Sequence, residues 1–91
     1  MPKYTNDKVD GYYLYFTSKC IVEAMHVHAG KSTTNGQSTK FWVYEDGSST
    51  MVGKSRMSAK TEKAIKEYIA VNYLDMYATW QRYSNEGFKQ K

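Results

Sequence analysis

Thr39-Lys40-Phe41-Trp42-Val43-Tyr44-Glu45-Asp46-Gly47-Ser48-Ser49-Thr50-Met51-Val52 decides the fold. Asp-Gly between two β-rich runs is a strong hairpin signal, because a tight turn needs positive φ and glycine supplies it without steric cost. Thr39–Tyr44 therefore reads as one strand and Ser49–Val52 as the strand that returns beside it. Side chains alternate along a strand, so Phe41 and Val43 share one face and Trp42 and Tyr44 the other. Both faces are apolar, which suits a strand that is central or covered on both sides.

Working back from the hairpin, Met25-His26-Val27-His28-Ala29 reads as another strand and Tyr12–Thr17, aromatic almost throughout, as the first. Tyr12, Leu14 and Phe16 fall on one face; Tyr13, Tyr15 and Thr17 on the other. Ser18–Ala24 reads as further strand or as a short connection. Gly30–Ser38, all small or polar, reads as a surface loop.

Working forward, Ser58 is a candidate N-cap. Ile65, Ile69, Tyr73, Met76, Trp80 and Tyr83 recur at spacings of three and four, the stripe of an amphipathic helix. Asn72 to Asp75 also carries capping residues. Two readings stand: one long helix over 59–83, or two short ones with a break near Asn72. Trp80, on the stripe, is expected in the core. Strands followed by helix make an α+β fold: a small antiparallel sheet of three to four strands with C-terminal helix packed on one face. Residues 1–11 read as a flexible arm, 12–86 as one domain and 87–91 as a tail.

The 91 residues suffice for one domain with a modest core. Nine tyrosines suit half-buried positions, interfaces or base stacking. The net charge of +4 permits nucleic-acid binding, but the basic residues are mixed with acids along the chain. A single cysteine excludes an internal disulfide. No apolar run approaches the length of a membrane helix, and Met1–Asn6 lacks the apolar core of a signal peptide. A cytoplasmic protein is expected.

His26 and His28 are the only histidines. On a strand they share a face, roughly 6–7 Å apart along the chain at about 3.3 Å per residue. A neutral imidazole can accept a proton and an imidazolium donate one near neutral pH. A metal-independent phosphodiesterase needs a base, an acid and a cation for the phosphorane. His26 and His28 are the candidate catalytic pair. Lys40, Lys54 and Arg56 are candidate cations, Trp42 a candidate anchor, and Tyr13 and Tyr15 candidate stacking platforms. Against chemistry stands the plain alternative that both histidines occupy a half-exposed sheet face. No metal or other cofactor is expected, because nothing gives a recognised zinc spacing. Gly30-Lys31-Ser32 is not the end of a phosphate-binding loop, since the required earlier glycine is Met25 and no helix follows.

The His26-Val27-His28 strand, the Lys40-Phe41-Trp42-Val43 strand and the Trp80-Gln81-Arg82-Tyr83 helix end together resemble a family of small bacterial proteins catalogued as domain of unknown function 4160. The resemblance covers roughly 12–83. Members carry His-x-Pro-Pro-His-x-His, then Lys-Phe-Trp-aliphatic, then two helices with a Trp near the end. In this chain the first histidine and both prolines are replaced by Val22, Ala24 and Met25, so a three-histidine pocket would be incomplete. The resemblance implies pairing with another small protein, in a toxin–antitoxin-like or regulatory setting, and favours the broken helix. The functions in play are an RNA-associated module with a small protein partner, a protein-interaction module without catalysis, and a ribonuclease using the histidine pair.

Overall fold

The structure is a computed structural model describing residues 3–17, 20–31, 38–53 and 57–91. Its elements are β1 (Tyr13–Tyr15), a 3₁₀ turn (Cys20–Val22), β2 (His26–Gly30), β3 (Thr39–Val43), β4 (Ser49–Val52) and α1 (Ala59–Gln81). The strands form an antiparallel meander in the order β1-β2-β3-β4. The fold is the expected α+β arrangement.

The hairpin that decides the fold closes as its residues require. Gly47 has φ of +87° and its N–H donates to Tyr44 O at 3.0 Å. Asp46 accepts from the Ser48 N–H at 3.0 Å, fixing the turn. A Cβ on Gly47 would meet the Tyr73 ring at 2.8 Å, so glycine is also required by packing against the helix.

Register sets the two faces. Leu14 pairs with Ala29, Val27 with Phe41, and Phe41 with Met51. This face holds the core: Leu14, Phe16, Val27, Phe41 and Val43 pack with Ile65, Ile69, Met76 and Trp80 of α1. Each fully buried side chain of this size contributes roughly 1.5–3 kcal/mol. The helix thus covers one face of the sheet, and β3 is flanked on both sides.

α1 starts at Ser58, whose hydroxyl accepts from the Thr61 N–H at 3.1 Å. It then runs unbroken through Asn72. The break that the resemblance favours is absent: the helix is continuous through Asn72, whose Nδ2 donates to Tyr68 O at 2.9 Å, one turn back. The helix ends at Gln81, so Tyr83 lies beyond it and is 51% exposed. Trp80 is fully buried, and its indole N–H donates to Glu86 O at 2.8 Å.

Both terminal segments lie against the sheet. Tyr4 N–H donates to Leu14 O at 2.9 Å, and Lys3 bridges to Tyr15. An Asp10-Gly11 turn, with φ of +48° and +86°, joins Val9 to Tyr12. Asp10 also accepts from the Thr61 hydroxyl at 2.7 Å, which ties this segment to the helix start. At the other terminus Met25 N–H donates to Gly87 O and Lys89 N–H to Val43 O, both at 2.9 Å. Phe88 stacks on Tyr77 with ring centres 4.0 Å apart. Among the described residues no helix is long and apolar enough to cross a membrane.

Candidate functional site

The sheet face opposite the core carries most of the residues singled out in the sequence. Period-two alternation puts Tyr13, Tyr15, His26, His28, Lys40 and Trp42 there together. Pairing lines them up: Tyr15 opposite His28, His28 opposite Lys40, and His26 opposite Trp42. Lys54 and Arg56 lie outside the described residues.

The histidine rings are 5.1 Å apart, edge to face at 85°. Their environments differ. His26 is fully buried, with Trp42 at 5.5 Å and Trp80 of the helix at 5.6 Å between ring centres. Its Nδ1 lies 2.8 Å from Ala24 O. A carbonyl only accepts, so Nδ1 carries the proton and Nε2 the lone pair. His28 is half-buried, stacks on Tyr15 at 5.7 Å, and places Nδ1 3.1 Å from Ser38 Oγ.

Both imidazoles are held neutral. Burial pushes His26 below the ordinary histidine value and the Lys40 charge adds to this; the hydrogen bond to Ala24 O and the Glu23 carboxylate oppose it. Burial pushes His28 down to about 4, with the charges of His26 and Lys40 acting the same way. The pair therefore offers proton acceptors at neutral pH and no imidazolium acid. Since His26 is wholly enclosed, only His28 could meet a substrate at the surface.

Lys40 is the hub of the face. Its ammonium lies 2.8 Å from Glu23 Oε1 and 4.0 Å from the centre of the Trp42 ring. That hydrogen bond holds the Glu23 carboxyl below its usual value. Lys89 approaches the same indole at 4.4 Å. Tyr13 has Lys3 at 4.7 Å and Lys8 at 5.0 Å. Trp42 and Tyr13 are each half-buried, so both rings keep some surface in solvent. Tyr15 is only 3% exposed and its ring is taken by His28. It stiffens the site rather than offering a platform.

Lys3, Lys8 and Lys89 were not among the sequence candidates. They come from the terminal segments: one-residue bridges to Tyr15 and Tyr44 bring Lys3 and Lys89 over the sheet, and Lys8 precedes Val9, which bridges to Tyr12. No periodicity marks such contacts in the chain. Among the described residues no three of His, Cys, Asp and Glu converge as a metal-binding group.

The family model for the Domain of unknown function (DUF4160) matches residues 11–81. The chain belongs to this family. The DUF4160 span runs from just before β1 to the end of α1, so it includes both histidines, Glu23, Lys40 and Trp42. It leaves out Lys3, Lys8 and Lys89. Within it, Val22, standing where the first family histidine is expected, is 78% exposed. No curated protein and no solved structure matches the chain.

Proposed function

We propose that this chain is an RNA-associated module that works with a small partner protein, in a bacterial toxin–antitoxin-like or regulatory setting in the cytoplasm. Its RNA contact is the sheet face opposite α1. One observation carries the reading: half-buried Trp42 and Tyr13 each lie under two lysine ammoniums on that face. Aromatic platforms interleaved with cations suit single-stranded RNA, because bases stack on rings while phosphates pair with lysines. Glu23 neutralises Lys40 in part, which leaves Lys3, Lys8 and Lys89 as the main phosphate contacts.

The partner would use the other side of the molecule. Val71 is 82% exposed and Leu74 64%, neighbours one turn apart on α1. This exposed apolar pair favours a protein contact over a bare solvated helix. Catalysis by the histidine pair has less support, since neutral His26 and His28 supply a base without its acid.

Fluorescence anisotropy with a labelled single-stranded RNA, repeated across salt concentrations, tests the proposal. Binding that weakens steeply with salt, and that is poorer for a duplex of the same sequence, is expected. Binding absent at low salt, or indifferent to salt, contradicts it.

A further inference from the structure

Ile65, Ile69, Met76 and Trp80 turn one side of α1 to the sheet. At about 3.6 residues per turn, the opposite side carries Glu67, Val71, Leu74, Ala78 and Arg82, set four, three, four and four residues apart. All of them are exposed. Arg82 keeps helical angles, φ −71° and ψ −16°, so the stripe runs on through the helix end. Among the described residues neither Glu67 nor Arg82 takes part in an ion pair. The stripe therefore reads acid, apolar, apolar, small, base over roughly 22 Å of helix, at about 1.5 Å per residue.

That order complements its own reverse. We propose that α1 packs antiparallel, outer face to outer face, against α1 of a second copy of this chain, about a two-fold axis between Leu74 and Asp75. Glu67 then meets the partner's Arg82, Val71 meets the partner's Ala78, and the two Leu74 side chains lie side by side at the axis. Symmetry makes each contact off the axis twice. A parallel copy would set Glu67 on Glu67 and Arg82 on Arg82, so charge selects the antiparallel one. Ala78 is small, which lets the helices approach to about 8–10 Å. Asp75 is exposed and lies about 60° round the helix from the middle of the stripe, so it stays at the wet rim. The second copy is thereby named as the partner, on the reading above that this side of α1 meets a protein. One helix pair falls short of the roughly 1,200–2,000 Å² of a stable complex, so the dimer is weak and concentration-dependent. The sheet face opposite α1 stays outside the contact in both copies and remains open to RNA.

Sedimentation equilibrium of the full chain, from micromolar to millimolar concentration, is the test. The mass is expected to rise from 10.5 kDa toward twice that value. Glu67→Arg and Arg82→Glu should each weaken the dimer about tenfold or more, because the reversed charge faces its like twice. The double variant should regain most of that loss. Leu74→Ser should weaken the dimer as well, and circular dichroism should stay unchanged in all four variants because the substituted side chains are exposed. A chain that stays monomeric at millimolar concentration overturns the second copy alone, since RNA anisotropy reports separately on the sheet face. A dimer that Leu74→Ser and both charge reversals leave unchanged uses another surface, and overturns the protein contact at α1 as well. Charge reversals that do not restore one another overturn the antiparallel order.

Discussion

The Lys40 ammonium lies 4.0 Å from the centre of the Trp42 ring, on the sheet face that α1 leaves uncovered. The Lys89 ammonium lies over the same indole at 4.4 Å, so the ring and two cations stand together on one face and can serve one ligand at once. On the proposed function, Trp42→Ala weakens single-stranded RNA binding by about 1–3 kcal/mol, the usual cost of a lost stacking platform. Trp42→Phe retains part of it. Anisotropy titrations of both variants check this, with circular dichroism confirming that the fold persists.

Lys89 makes a phosphate contact in this account, and Lys40 a weaker one because Glu23 shares it. Each phosphate neutralised on a single strand contributes about 0.7 to the slope of log affinity against log salt. Lys89→Ala should therefore flatten the slope by close to that amount, and Lys40→Ala by less. Equal effects from the two, measured by salt titration, would mean that the ion pair does not shield Lys40.

Acid should destabilise the fold through the histidines. Both are held neutral when folded, His28 down to about 4, whereas the unfolded chain protonates them near 6.5. Between those values the unfolded state binds more protons, so stability falls as pH drops from about 6.5 toward 4. At 1.36 kcal/mol per unit, His28 accounts for on the order of 3 kcal/mol. Urea unfolding across this range checks the sign. His28→Asn should flatten the dependence, with His26 supplying what remains.

Gly47→Ala should destabilise the chain by about 1 kcal/mol or more. Its φ is +87° and the new Cβ would stand 2.8 Å from the Tyr73 ring, so strain and overlap add. Thermal melting reads the effect. Gly53→Ala provides the comparison: it shares the positive φ, +72°, but meets no atom within 4 Å and should cost less.

Local signals made the sheet and its faces legible. Asp46-Gly47 marked the hairpin, alternation sorted Phe41 and Val43 from Trp42 and Tyr44 but left open which pair faces the helix, and Ser58 with the Ile65–Trp80 stripe marked the helix. Alternation also paired His26 with His28, whereas the strand register is what sets Lys40 and Trp42 beside them. What stayed hidden depends on non-local contacts. The enclosure of His26 comes from Trp42 and Trp80, far apart in sequence. The helix continues through Asn72, whose side chain bonds back onto its own helix instead of capping a new one, a use that residue type alone does not assign. Lys3 and Lys89 reach the site through single bridges, which leave no repeating pattern.

Chemical-shift mapping with an isotopically labelled chain and a short single-stranded RNA tests the central claim most directly. The account predicts shifts concentrated at Tyr13, His28, Lys40, Trp42 and Lys89, with the Val71 and Leu74 amides unmoved. Shifts centred on Val71 and Leu74, or none at saturating RNA, would contradict it.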